Sequence, residues 1–137
     1  MNTITLPVRD AGPDSLEREI QAKASTAPRV TPADIEAEIA SESYFTAADG
    51  VRGASAGKPG ESLLPEYVTY EGSPLTLLTF CVLVLRNGFT VTGESACASP
   101  ENFNAEIGRR IARENAANKV WPLLGFRLRD KLAGQGA

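Results

Sequence analysis

The dipeptide Asn87-Gly88 constrains this chain more than any other local feature. It lies between two runs rich in Leu, Val, Phe and Thr, Leu75–Arg86 and Phe89–Glu94. Asn-Gly is favoured in two-residue hairpin loops, where both central residues need positive φ. The expected structure is an antiparallel hairpin with Asn87 and Gly88 as its loop. That register opposes Arg86 to Phe89, Val84 to Val91, Val82 to Gly93 and Phe80 to Ser95. One face then carries Phe80, Val82, Val84, Phe89 and Val91. The other sets Cys81 against Glu94, so that no Cys81–Cys97 bridge forms. The strand Leu77–Leu85 is apolar on both faces, which places it inside a sheet with a cover on each side. A helix or another subunit could supply the second cover.

Helix signals flank the hairpin. Ser99-Pro100-Glu101 combines a cap, a proline and an acid at one helix start. The expected helix runs from about Glu101 to Lys119 and buries Phe103, Ile107, Ile111 and Ala112, continued by Ala116 and Val120. Gly108 near that stripe lets a neighbouring element approach closely. On this reading Ile107→Ala costs roughly 2–5 kcal/mol. Trp121-Pro122 breaks the pattern, and Leu123–Leu132 forms a short C-terminal helix. Thr31-Pro32-Ala33-Asp34 opens an earlier helix with Ile35 and Ile39 on one face, followed by the anchors Tyr44 and Phe45. Leu16–Lys23 has the spacing of a short amphipathic helix.

Gly50, Gly53, Gly57, Pro59 and Gly60 make residues 46–63 a flexible loop, and Leu64–Tyr70 a short edge strand at most, because of Pro65. The expected organisation is a mobile arm over 1–28, one domain over 29–132 and a frayed tail over 133–137. The fold class is α+β: a small antiparallel sheet packed with a long helix and shorter N- and C-terminal helices.

Composition bears on chemistry. The 137 residues include no histidine, which removes the common catalytic triads and His-ligated metal sites. Two cysteines are too few for a disulfide scaffold or a four-thiolate zinc site, and suit a reducing compartment. No run of about 18 apolar residues appears, and the N-terminus lacks a basic region followed by an apolar one. Gly93-Glu94-Ser95-Ala96-Cys97 superficially resembles a nucleophile elbow, but it lacks the second glycine and any histidine base. Glu101 and Glu106 are five apart, off the same-face spacing that a carboxylate pair needs. The glycines of 50–60 lack the Lys-Ser/Thr of a phosphate loop. No catalytic residue, metal ligand or cofactor is assigned, and the expectation is a binder rather than an enzyme.

Charge is uneven along the chain. Residues 1–70 carry 6 basic and 11 acidic groups, and residues 71–137 carry 8 and 6. An anionic ligand therefore finds its partners in the second half. Arg109, Arg110 and Arg113 leave the apolar stripe of the long helix. Asn102 lies in that helix's expected first turn, where free N–H groups favour anions. Arginine forks suit phosphate oxygens, so one reading is a phosphate or nucleotide site. The other is a solvated face in which Glu106 pairs with Arg110 and Arg109, and Arg110 with Glu114. Phe89 at the hairpin tip either stacks on a nucleobase or folds back onto the core or a subunit.

The stretch from Leu78 to Cys97, then Pro100-Glu101-Asn102-Phe103, Glu106-Ile107-Gly108, Ile111–Ala116 and Trp121-Pro122-Leu123, carries a resemblance. Arg29-Val30-Thr31-Pro32 and Ser41-Glu42-Ser43-Tyr44 extend it to about residues 29–132. The chain resembles a family of short proteins encoded by tailed phages and prophages. The pattern is also similar to the Thoeris anti-defence sponges, phage proteins that sequester cyclic ADP-ribose-type immune signals. The resemblance implies a non-catalytic, homo-oligomeric cage for a cyclic nucleotide, formed between subunits in the cytoplasm of the bacterial host. It involves no membrane and no nucleic-acid polymer. The ligand-binding positions it implies are Phe89, Asn102, Arg109, Arg110 and Arg113. The N-terminal arm and the long 46–76 loop depart from the pattern. The alternative is a phage accessory protein that binds and inhibits a host protein. An enzyme that cleaves such signals is disfavoured by the missing bases.

Overall fold

The computed structural model describes residues 13–23, 27–55 and 70–135. In order these form helix α1 (Pro13–Lys23), helix α2 (Pro32–Glu38), strand β1 (Ile39–Thr46), helix α3 (Ala47–Ser55), strands β2 (Leu78–Leu85) and β3 (Thr90–Ala96), and helices α4 (Ala105–Asn118) and α5 (Val120–Gln135). The strands make one antiparallel sheet in the order β1-β2-β3, so the doubly apolar β2 is central. The fold is α+β, as its sequence pattern implies.

The hairpin forms with a different loop. Leu85 N–H donates to Phe89 O (2.8 Å) and Gly88 N–H to Leu85 O (2.9 Å), which leaves Arg86, Asn87 and Gly88 as a three-residue loop. Of these three, Gly88 alone takes positive φ, at +90°. Asn87 instead accepts the Phe89 N–H on its side-chain oxygen (2.9 Å), the local bond that lets Asn make a turn without entering the left-handed region. The extra loop residue shifts the register by one. Leu83 opposes Val91, Cys81 opposes Gly93 and Phe80 opposes Glu94. A one-residue slip turns a whole strand over, so Val91 joins the core face rather than the face of Phe80. Cys81 faces Gly93, not Glu94, and both cysteines are free thiols.

α2 begins as its sequence indicates. Thr31 Oγ1 accepts the Asp34 N–H (3.1 Å) while Asp34 Oδ2 accepts the Thr31 N–H (2.9 Å), with Pro32 in the first turn. The helix stops at Glu38. Ile39 therefore does not share a helical face with Ile35; it starts β1, which also holds Tyr44 and Phe45. This strand is poorly marked locally, because Ser41, Glu42 and Ser43 interrupt its apolar pattern and its register is broken between Ile39 and Ser41. Its order comes from pairing with β2.

The same capping geometry recurs at Thr46 and Asp49, whose side chains each accept the other's N–H (3.1 and 3.0 Å). It starts α3, which corrects the reading of 46–63 as a flexible loop: residues 47–55 are helical, with Ala48 only 1% exposed. The cap and the alanines offset the cost of Gly50 and Gly53. The rest of that loop and residues 64–69 of the proposed edge strand lie outside the described residues. Tyr70 is in a turn, where its carbonyl accepts the Ser73 N–H (3.0 Å). Within the proposed arm, residues 13–23 are α1, and Glu17 pairs with the Arg29 guanidinium. Residues 1–12 and 24–26 lie outside the described residues.

α4 differs from expectation in start and in orientation. Ser99-Pro100-Glu101 begins only a short 3-10 turn, Pro100–Asn102. The α-helix starts at Ala105, capped by Asn104, whose side-chain oxygen accepts the Ile107 N–H (3.0 Å). Gly108, Ala112 and Ala116 form the buried stripe. Ile107 and Ile111 are turned outward, 49% and 46% exposed, which corrects their assignment to the core. The reason is close packing. A Cβ placed on Gly93 would lie 2.1 Å from Ala112 O and 2.3 Å from Ala116 N, so the helix backbone rests directly on β3. Only small residues fit at that contact.

Lys119 ends α4, and α5 begins at Val120. Pro122 falls in its first turn, where a missing N–H costs nothing, and the helix runs past Leu132 to Gln135. The core joins Ile35, Cys81, Leu83, Leu85 and Val91 to Ala112, Ala116, Val120 and Leu124. On the other sheet face Phe80, Val82 and Val84 stay half-buried, and the Phe45 and Phe80 rings stack with centroids 5.5 Å apart.

Candidate functional site

The three arginines of α4 occupy three environments. Arg113 turns towards β1 and α2. Its guanidinium donates to both carboxylate oxygens of Glu36 (2.8 and 3.1 Å) and through Nε to Glu42 (3.1 Å). Tyr44 Oη donates to the same Glu42 (2.6 Å). This network locks α4 to the two preceding elements. The hydrogen bonds from Glu36 and Glu42 raise the Arg113 pKa, and those from Tyr44 and Arg113 hold the Glu42 carboxyl below its ordinary range. Burial and the bond to Glu42 raise the Tyr44 phenol, and burial raises the Cys81 thiol beside it. A second lock joins Arg127 of α5 to Glu38 through two bonds (2.6 and 3.1 Å), which also lowers the Glu38 pKa.

These depressed carboxyls set a pH dependence. Their stabilisation is complete above the unfolded-state value, near 4.5, and is lost as the pH falls through the lower folded values. Urea midpoints should hold steady from neutrality down to about pH 5 and decline below pH 4.5, with a shallower decline in Arg113→Ala. A midpoint unchanged down to pH 3 would contradict this.

Arg109 and Arg110 form no salt bridge among the described residues. Arg109 borders a cleft of about 110 Å³ at one end of the sheet, with Tyr44, Phe45, Thr46, Thr79 and Phe103. That volume is below the roughly 300–1,000 Å³ typical of small-molecule sites. Arg110 borders a larger groove of about 330 Å³ between α2, α4 and α5, with Ile35, Glu36, Arg113, Glu114 and Trp121. Trp121 is 37% exposed there. An indole and a guanidinium without a salt bridge among the described residues, lining one groove, suit a planar, anionic ligand such as a nucleotide. Glu36 and Glu114 on its walls limit the positive field.

The five positions singled out from sequence are not gathered at one place. Arg110 and Arg113 share the α2–α4–α5 groove. Phe89 is exposed at the hairpin tip, beside a groove of about 180 Å³ with Leu123 and Arg127. The length of β2 puts that tip about 20 Å from the Arg109 cleft. Asn102 is exposed in the 3-10 turn and outside the α-helix, so the free N–H groups of the helix start are not its own. Trp121 was missed because Trp-Pro read as a helix break; Pro in a first helical turn was the available signal.

Among the described residues no cluster of metal-ligating side chains occurs, and no helix is long and apolar enough to cross a membrane. Comparison with protein families matches residues 30–132 to the phage protein (N4 Gp49/phage Sf6 gene 66) family. The chain belongs to this family. The match spans α2 to α5 and so contains the sheet, the arginine helix and the groove with Trp121. Neither curated proteins nor solved structures give a match to this phage-family protein.

Proposed function

We propose that this phage-family protein is an anti-defence protein that binds a cyclic nucleotide of the cyclic ADP-ribose type and retains it unaltered. The observation that carries the reading is the groove of about 330 Å³ that Arg110 and Trp121 both line. Arg110 would neutralise a phosphate, Trp121 would stack on a base, and Arg113 would hold the wall through its carboxylate network. Sequestration needs no turnover. Stoichiometric binding lowers free signal by mass action, and a chain with no histidine has few general bases to offer.

The test is to incubate the pure protein with cyclic ADP-ribose isomers and cyclic dinucleotides, remove free ligand, denature the protein and analyse what is released. Intact ligand is expected from the unmodified protein. Arg110→Ala and Trp121→Ala should each weaken retention roughly 5- to 150-fold, since a charge-assisted hydrogen bond and a base–aromatic stack are each worth roughly 1–3 kcal/mol. No retained ligand across the panel, or ligand returned cleaved, overturns the reading. The second reading is a phage accessory protein that binds and inhibits a host protein, for which exposed apolar side chains such as Phe126 on α5 would be the contact. A stoichiometric host protein captured without nucleotide would replace the first reading with that one.

A further inference from the structure

The face of β2 that meets α4 reads Thr79, Cys81, Leu83 and Leu85, all buried. Thr79 is the hydroxyl-bearing residue of that row and is 3% exposed. A Cβ placed on Gly108 would lie 3.1 Å from Thr79 Oγ1, so the hydroxyl lies against the first turn of α4. Among the described residues this hydroxyl has no hydrogen-bond partner, and no sealed side-chain polar atom is left unsatisfied. The Thr79 oxygen therefore keeps access to the cleft of about 110 Å³ that Thr79 lines. Valine has nearly the same shape and would bury no unpaired hydroxyl, a group that costs free energy inside a protein.

The same cleft gathers two more donors. Ala105, the first residue of α4, lines it, and its N–H is one of those that a helix start leaves without an intrahelical partner. The Asn104 cap takes up the Ile107 N–H and not that of Ala105. Arg109, one turn further on, brings a guanidinium with no salt bridge among the described residues. The carboxylates nearby are already engaged. Asp49 accepts the Thr46 N–H and pairs with Arg52, and Glu42 accepts from Tyr44 and Arg113. Phe45 and Phe103 also line the cleft; apolar walls lower the local dielectric and strengthen a charge-assisted bond within it.

We propose that this cleft binds a phosphate-sized oxyanion through the Thr79 hydroxyl, the Ala105 N–H and the Arg109 guanidinium. All three are donors, and the helix start adds its partial positive charge. At roughly 30 Å³ for each water-sized group, about 110 Å³ has the scale of a tetrahedral oxyanion and is too small for a nucleoside. The chemistry recognised is a phosphoryl group, whether free as inorganic phosphate or at the end of a nucleotide whose remainder lies in solvent. The cleft shares no lining residue with the groove of Arg110 and Trp121, so the site does not depend on the reading of that groove.

The test is calorimetric titration of the full chain with sodium phosphate, at an ionic strength matched with sodium chloride. Saturable binding that sulfate displaces is expected. Arg109→Ala and Thr79→Val should each weaken it roughly 10- to 150-fold, the range for one hydrogen bond to a charged group. Arg109 is exposed, so its variant keeps the fold. Arg110→Ala, in the other groove, should leave phosphate binding unchanged. Without phosphate, Thr79→Val should keep or raise the thermal midpoint, because it removes an unpaired buried hydroxyl. AMP that displaces phosphate assigns the cleft to the phosphoryl end of a nucleotide, and AMP that fails to displace it assigns the cleft to the free ion; both support the site. No saturable binding, binding that survives both substitutions, binding lost in Arg110→Ala instead, or a lower phosphate-free midpoint in Thr79→Val overturns it.

Discussion

Gly93→Ala should destabilise the protein by about 3 kcal/mol or more, although alanine is ordinarily the better residue inside a strand. From backbone entropy alone the change should stabilise by roughly 0.5–1 kcal/mol, so the sign of the effect is the test. The added Cβ would lie 2.1 Å from Ala112 O, 2.3 Å from Ala116 N and 2.9 Å from Ala116 Cα. All three are backbone atoms of α4, and no rotamer change can move them aside. Relief requires shifting the helix off β3, which opens the core at Ala112 and Ala116, both 0% exposed. It also pulls Arg113 from Glu36 and Glu42. Urea unfolding monitored by circular dichroism measures the effect, and a loss below about 1 kcal/mol would mean that the helix does not rest on the strand.

Leu83→Ala should cost roughly 2–5 kcal/mol, and Ile107→Ala less than about 1 kcal/mol. Leu83 is fully buried at the centre of β2, opposite Val91, and touches the helix side of the core. Its deletion leaves a cavity walled by rigid neighbours, and both the transfer and cavity penalties apply. Ile107 is half in water already, so truncation removes little buried surface. Equal costs for the two substitutions in dilute solution would overturn the orientation of α4.

Local signals were informative where the chain satisfies its own backbone. Thr31-Pro32-Ala33-Asp34 specifies the start of α2 because all its capping partners lie within four residues. Asn87-Gly88 specifies a turn between two strands for the same reason. The signals failed where a distant partner decided. Ile107 and Ile111 have the spacing of a core stripe, yet the competing stripe of Gly108, Ala112 and Ala116 is buried, because Gly93, far away in sequence, leaves room for a helix backbone. The candidate site was legible in part: arginines leaving the apolar face of the long helix are visible in the sequence. Their separation into one structural clamp, Arg113, and two groups without a salt bridge among the described residues, Arg109 and Arg110, depends on where Glu36 and Glu42 arrive.

By itself the sequence determined the fold class, the presence of the hairpin and the shortage of histidine and other catalytic bases. These follow from short-range bonding, hydrophobic content and residue identity. The structure decided the hairpin register, the strand Ile39–Thr46, the face that α4 buries and the placing of Arg110 and Trp121 along one groove. The register turns on the geometry of a three-residue loop, and the strand Ile39–Thr46 and the buried face of α4 turn on contacts between residues distant in the chain, so one residue of loop or one missing Cβ changes which side chains face the core.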